Sequence, residues 1–213
     1  MADAEGGPRW IEGVREELEA RRVPSADQVL EALRRLARRE AAAEALTAIR
    51  PTLTRLGDPL RALTTLEHCI SSDPRHLEAA VATATVELSG ASSWATRLLA
   101  AEPALTHRLV DDPSPPLDPE AATLAGSEPP ERFDRQLRRL RNEALLEIAL
   151  RELRGADIRE TSRQIADLAD TCTRAALAYH RPRLLAECGA TEPPCDFVII
   201  GMGKLGGGEL VNG

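Results

Sequence analysis

Aromatic side chains are scarce, 2% of 213 residues, so the interior must be built from leucine, alanine, valine and isoleucine. Alanine and leucine are strong helix formers, which favours a helical bundle over a sandwich or barrel. Lysine is scarcer still: Lys204 is the single one, and all other formal basic charge is arginine. No apolar run approaches the roughly 18 residues of a membrane-spanning helix, which excludes the membrane as a solvent for this chain. The opening Met1-Ala-Asp-Ala-Glu-Gly-Gly-Pro segment has neither the basic nor the long apolar part of a signal peptide. Cysteines are few and widely spaced, at Cys69, Cys172, Cys188 and Cys195. Cys188 and Cys195 have no nearby histidine or second cysteine pair to complete a zinc site. Reduced, structural thiols in a cytoplasmic protein are therefore expected.

The net charge of -7 carries no long acidic tail. A general nucleic-acid binder needs a concentrated basic face, so a nucleic-acid partner is not expected. Arginine clusters, Arg34-Arg35 with Arg38-Arg39 and Arg138-Arg139 with Arg141, are interleaved with glutamates at helical spacing. Such clusters read as solvated, salt-bridged faces, with a docking surface for an acidic partner as the alternative. His68, His76, His107 and His180 suit local capping and surface positions.

Periodicity divides the chain into helices. Trp10, Ile11, Val14 and Leu18 share one face after Pro8. Ser25 and Gln28 form a capping-box pair that predicts a second helix running to about Arg50, where Pro51 stops or kinks it. Gly57-Asp58-Pro59 precedes a helix with Leu60, Leu63, Leu66 and Ile70; Asp73-Pro74 opens another through roughly Leu88. Short helices are predicted around Trp94 to Ala100 and Pro103 to Val110. Prolines 113, 115, 116, 119, 129 and 130 make residues 111–130 a linker. Phe133 to Leu153 then marks a long amphipathic helix, and another runs from about Asp157 past Tyr179. Pro182, Gly189 and Pro193-Pro194 are expected to separate that helix from the end of the chain. The resulting division is a helical region 1–110, the linker 111–130, a long-helix region 131–190 and a distinct terminal region 191–213.

That terminal region holds the most specific signal, Phe197-Val-Ile-Ile-Gly-Met-Gly-Lys-Leu-Gly-Gly-Gly-Glu-Leu210. Phe197 to Ile200 reads as a central strand buried on both faces, which would need partner strands. The fold expectation is thus a mainly α-helical array or bundle, followed by a first strand and a glycine loop. Gly201-Met-Gly203-Lys-Leu-Gly206 formally matches a dinucleotide fingerprint, but Gly206-Gly-Gly208 is a poor helix start and no acid stands about 20 positions further on. A Walker loop needs Ser or Thr after its lysine, and Leu205 stands there. Two readings stay open: glycine-exposed amides with one ammonium cradling phosphate, or a tight structural turn with Lys204 in solvent. Asp167 and Asp170, three residues apart on one helix, read more simply as solvated or salt-bridged than as ligands.

The terminal segment resembles the loop of bacterial glutamine-synthetase adenylyltransferases. Leu137-Arg-Arg-Leu-Arg-Asn-Glu-Ala-Leu-Leu-Glu-Ile-Ala149 and Glu160-Thr-Ser-Arg-Gln-Ile-Ala-Asp-Leu-Ala-Asp170 resemble the helices before it, and Ser92 to Leu99 with Pro103 to Thr106 less specifically. The resemblance spans roughly residues 55–213. It implies that the strand and loop open an α/β nucleotidyltransferase-like domain, cut off before it closes. It further implies a duplicated enzyme that attaches AMP from ATP to a tyrosine of glutamine synthetase and removes it by phosphorolysis, under control of a PII nitrogen-signalling protein and glutamine. The position after a long helical region points to the deadenylylating copy. Gly203, Lys204, Gly206 and Gly207 are then the expected nucleotide or phosphate contacts. The family's metal-holding aspartate pair would come after Gly213, so Mg2+ and ATP, ADP or phosphate belong to the parent enzyme and the 213-residue chain is expected to be inactive. A non-catalytic helical regulatory or interaction module is the alternative.

Overall fold

The computed structural model describes residues 10–111, 129–193, 195 and 198–211. Contacts divide the chain into two compact units, residues 1–113 and 114–213.

The first unit is a helical array: α1 (Trp10–Ala20), α2 (Ala26–Ala37), α3 (Ala42–Leu53), α4 (Pro59–Ser72), a 3-10 turn (Pro74–Leu77), α5 (Ala79–Ala91), α6 (Ser93–Ala101) and α7 (Leu105–Asp111). Its core is aliphatic, as the shortage of aromatics requires. Val14, Leu18, Leu30, Leu33, Ile49, Leu63, Leu66 and Val86 are buried in one cluster that joins α1 to α5. Helix α5 is buried nearly all round, so it is the centre of this unit, and it touches α3, α4, α6, α7 and the 3-10 turn.

Several helix starts are capped by side chains as local chemistry suggests. Asp58 accepts the Arg61 amide at 2.9 Å and Ser92 accepts that of Ala95 at 3.3 Å, capping α4 and α6. The Ser25–Gln28 capping box does not form: Ser25 precedes α2 but its side chain makes no cap bond. The helix predicted from Ser25 to Arg50 is two helices, broken between Arg38 and Ala41, where Ala41 is left-handed at φ 63°. No glycine or proline marks that break. Pro51 instead lies inside the last turn of α3 rather than ending it.

In the second unit α8 (Pro130–Leu153) and α9 (Ile158–Glu187) form an antiparallel pair. Arg151 Nη2 reaches Glu160 at 2.7 Å beside the connecting turn, while Phe133 stacks on Tyr179 at the far end. Gly155, at φ 95°, makes that turn, with the Ala156 amide donating to Arg151 O at 3.0 Å and the Gly155 amide to Glu152 O. Asp157 caps α9 by accepting the amides of Arg159 and Glu160. Pro182, expected as a separator, is carried inside α9. Ile148, Ile165 and Leu168 form the inner cluster, with Leu210 packed against it.

The expected strand is corrected by this structure. The described residues are helical or irregular and contain no β-strand. Val198 and Ile200 are 79% and 75% exposed rather than buried on both faces. A strand exists through a neighbour's backbone N–H and C=O groups, and no described segment runs extended beside 198–200. The fold is therefore all-helical over the described residues, without the opening of an α/β nucleotidyltransferase domain. Phe197, and most of the expected linker at 111–130, lie outside the described residues.

Candidate functional site

The glycine segment is a closed helical turn. Gly203, at φ 57°, leads into α10 (Gly203–Gly206), and Gly208, at φ 66°, ends it. The Gly207 amide donates to Gly203 O at 3.0 Å, the Gly208 amide to Leu205 O at 3.1 Å and the Glu209 amide to Lys204 O at 2.7 Å. The last two bonds are the paired closure of a Schellman motif, with glycine in the left-handed position. The same closure ends α9, where Gly189 has φ 65° and Ala190 donates to Leu185 O at 2.8 Å.

The glycines of the turn are not equivalent. A Cβ on Gly206 would stand 2.5 Å from Gly201 O, a backbone atom that cannot step aside. At Gly207 the nearest atom would be 3.5 Å away, an ordinary contact. Positive φ sets the requirement at Gly203 and Gly208. Leu205 is half-buried, and Leu210 anchors the end of the turn on the α8–α9 core.

The four expected phosphate-contacting residues fall together on this turn. Lys204 is exposed, and Gly203, Gly206 and Gly207 present no side chain to obstruct an approaching ligand. The Gly206 and Gly207 amides, however, are directed into the turn, toward Met202 O at 3.4 Å and Gly203 O. The first amides of a helical turn have no intrahelical acceptor, and these belong to Gly203, Lys204 and Leu205.

Glu209 is the one carboxylate on the described turn and it is exposed. Among the described residues, no group of three or more His, Cys, Asp or Glu side chains is placed to hold a metal ion. The residues present do not fit a magnesium centre, which takes several convergent oxygens in octahedral geometry. Asp170 lies 3.7 Å from Arg174 one turn along α9, and Asp167 is exposed. Both therefore sit on a solvated helix face.

Sequence reasoning missed a different polar cluster. His76 and His107 are buried, 0% and 4% exposed, and meet with His107 Nε2 3.2 Å from His76 Nδ1. Surface placement is thus wrong for this pair, whereas His180 is half-exposed, 4.0 Å from Asp134. Their spacing in sequence gives no sign of contact; only packing of α7 against the 3-10 turn joins them. The thiols also differ among themselves: Cys69 is buried, but Cys188 and Cys195 are exposed and take no part in the core.

The described residues define a class: a helical protein of two units, the second ending in a glycine turn anchored on a long helix pair. The sequence profile of the glutamate-ammonia ligase adenylyltransferase family matches residues 82–213. The chain belongs to that family. Bifunctional glutamine synthetase adenylyltransferase/adenylyl-removing enzymes are among its relatives. That of Burkholderia mallei is 35% identical over 133 residues, covering 56% of this chain and 14% of the relative. That of Nitrosomonas europaea is 36% identical over 135 residues, with the same coverage. That of Xanthomonas campestris pv. campestris (strain B100) is 32% identical over 161 residues, covering 70% of this chain and 16% of the relative. The chain thus spans a small part of the length of the curated relatives it matches. No solved structure matches it. Among the described residues no helix is long and apolar enough to cross a membrane.

Proposed function

We propose that this chain is part of a cytoplasmic bifunctional enzyme that adenylylates glutamine synthetase with ATP and removes AMP from its adenylyl-tyrosine by phosphorolysis. The observation that carries this reading is the family match across residues 82–213, which includes the glycine turn. In the parent enzyme the turn contacts nucleotide or phosphate through Gly203, Lys204, Gly206 and Gly207. The Lys204 ammonium supplies the charge, and the bare glycines supply close approach. Contact through the Gly206 and Gly207 amides requires the turn to open, because those amides already have acceptors within it. Phosphoryl-type transfer also needs charge neutralisation by metal, and Glu209 alone does not provide a magnesium centre. The 213-residue chain is accordingly inactive, and Mg2+ with ATP, ADP or phosphate serves the parent enzyme. Glutamine synthetase and a PII protein are the partners.

The test is to incubate the chain with adenylylated glutamine synthetase, phosphate and magnesium. No nucleotide release is expected from the chain, whereas the full-length gene product releases it. Release by the chain alone would overturn the inactivity, and none by the full-length product would overturn the enzyme reading. A second reading, a helical regulatory or interaction module, is favoured by the Gly206 and Gly207 amides already having acceptors within the turn. It expects the full-length product to bind glutamine synthetase without turnover.

A further inference from the structure

The His76–His107 pair is a polar cluster inside an otherwise aliphatic unit, and nothing in the proposed transfer chemistry uses it. The rings meet edge to face, with centroids 4.2 Å apart and planes inclined by 64°. His76 is held from both sides. Its Nδ1 lies 3.0 Å from Asp73 O, and its Nε2 lies 3.0 Å from Pro103 O and 3.1 Å from Thr106 Oγ1. His107, on α7, has one anchored nitrogen only. Its Nε2 faces His76 Nδ1 at 3.2 Å and Asp73 Oδ2 at 3.5 Å, while its Nδ1 is buried with no hydrogen-bond partner.

This asymmetry sets a rule for protons. A neutral His107 with its hydrogen on Nε2 turns it toward the Asp73 carboxylate, which accepts whatever the tautomer of His76, and leaves a bare lone pair at Nδ1. A charged imidazole carries hydrogen on both nitrogens. Whatever the tautomer of His76, charging His107 therefore places an N–H at Nδ1, in a position without an acceptor, and a buried unpaired donor is costly. The nearby charges are divided. Asp73 and Glu78 favour a cation, but Arg75 and the facing His76 oppose it, and Asp73 Oδ2 is already engaged by Arg75 at 3.0 and 3.1 Å. On α7 itself Arg108 pairs with Glu102 at 3.0 Å, and Asp111 acts on Arg75. Burial is the largest influence, followed by His76 and Arg75, and together they hold His107 below the ordinary histidine value.

We propose that His107 is an acid-sensitive latch: neutral, it packs beside His76 and holds α7 to the 3-10 turn, and a proton taken up at Nδ1 expels it and loosens α7. The sign is set by linkage. An open or unfolded His107 takes its proton near the usual value of about 6.5, and the closed form takes it only at lower pH. The latch is fully effective above that value and weakens as pH falls below it, with the open population growing by up to about tenfold per pH unit.

Hydrogen exchange of the 213-residue chain tests this, with rates corrected for intrinsic chemistry. Between about pH 7.5 and about pH 5.5, residues 105–111 should lose up to about tenfold in protection. His107→Gln keeps a donor toward His76 but cannot titrate, so its protection should not respond to pH in this way. Unchanged protection of α7 in the wild-type chain, or an undiminished acid response in H107Q, would overturn the latch. Should H107Q fail to fold, a side-chain NMR titration of the wild-type chain decides. A His107 midpoint below about 6.5 supports the proposal, and one at or above it refutes it.

Discussion

Phe133 and Tyr179 lie face to face, ring centroids 3.8 Å apart and planes within 8° of parallel, at the end of the α8–α9 pair far from its turn. Arg183 covers the tyrosine, its guanidinium carbon 3.6 Å from the ring centroid, and His180 meets both rings edge-on. In a chain so poor in aromatics this cluster does what leucines do elsewhere: it closes the open end of a two-helix unit. Phe133→Ala removes a ring that is 1% exposed and should cost about 3 kcal/mol. Phe133→Leu should cost distinctly less because it keeps most of the volume. Urea unfolding, with hydrogen exchange to assign the loss to residues 130–187, checks both; equal effects would mean that the ring stack, lost in both variants, outweighs the volume that leucine keeps.

Arg61 ties the end of α5 to α4. Its Nε donates to Ser89 O at 2.8 Å and its Nη2 to Gly90 O at 3.0 Å, while Thr96 Oγ1 also donates to Ser89 O. These are terminal carbonyls that helix geometry leaves without partners. Arg61→Met keeps the stem and removes the fork, and it should cost about 2 kcal/mol, the range for hydrogen bonds made by a charged donor. Lysine at this position should recover only part, because a single ammonium cannot reproduce the planar fork. The midpoint of thermal unfolding orders the three chains.

The helices were legible in the sequence where a cap or a long amphipathic stripe announced them. Asp58-Pro59, Asp157 and the Ile165, Leu168, Cys172 stripe each act as the sequence suggests. The break at Arg38 to Ala41 was not legible, since Ala41 adopts a left-handed conformation that alanine does not advertise and tertiary packing imposes. Phe197 to Ile200 misleads for the opposite reason. Apolar content suggests burial, yet a buried strand depends on neighbours that no short run can specify, and 198–200 stand in solvent. At the candidate site the glycines and Lys204 were visible as a group, but the direction of the Gly206 and Gly207 amides depends on backbone dihedrals. The His76–His107 contact was invisible, because it joins residues 31 apart.

Gly90 sits inside α5, where alanine would ordinarily gain about 1 kcal/mol in helix propensity. Here a Cβ would collide with Leu56: the leucine's Cδ1 is nearest, Cδ2 lies 2.9 Å away and Cγ 3.0 Å. Three atoms of one side chain, including its branch point, cannot all be cleared by rotating a terminal methyl. Overpacking of this kind costs about 1–3 kcal/mol, so Gly90→Ala should be destabilising by up to about 2 kcal/mol after the propensity gain. The double variant with Leu56→Ala should be less destabilised than the sum of the two singles. A double-mutant cycle in urea measures that coupling, and strict additivity would remove Leu56 as the cause.

The four thiols should separate by reactivity. Burial pushes the Cys69 thiol up to about 11, so near pH 8 its thiolate is about one part in a thousand even before access is considered. Cys172 is half-buried and also raised by burial. Cys188 and Cys195 are exposed. A disulfide reagent added to the native chain should modify two thiols quickly, Cys172 slowly, and Cys69 only on unfolding. Mass mapping of the modified peptides identifies each site, and early modification of Cys69 would contradict the packing of α4 against α6.

The glycine turn offers the sharpest contrast between two adjacent residues of the same type. Gly206→Ala drives a Cβ to 2.5 Å from Gly201 O, whereas Gly207→Ala meets nothing closer than 3.5 Å. The first substitution should disrupt the turn, because relief requires moving backbone, and the cost is expected at about 2 kcal/mol for the local structure. The second should be close to neutral. Amide NMR shifts of residues 202–209 separate structure from function: Gly206→Ala should move them throughout and Gly207→Ala only locally. In the full-length gene product, activity lost with both variants would mean that Gly207 serves a ligand, since its alanine leaves the fold intact. Activity lost with Gly206→Ala alone would assign the glycines to the turn. Lys204→Met, which removes charge from an exposed side chain while keeping a good helix former, then decides whether the turn presents an ammonium to phosphate: a rise in the phosphate concentration needed for half-maximal release, with amide shifts unchanged, is the expected result.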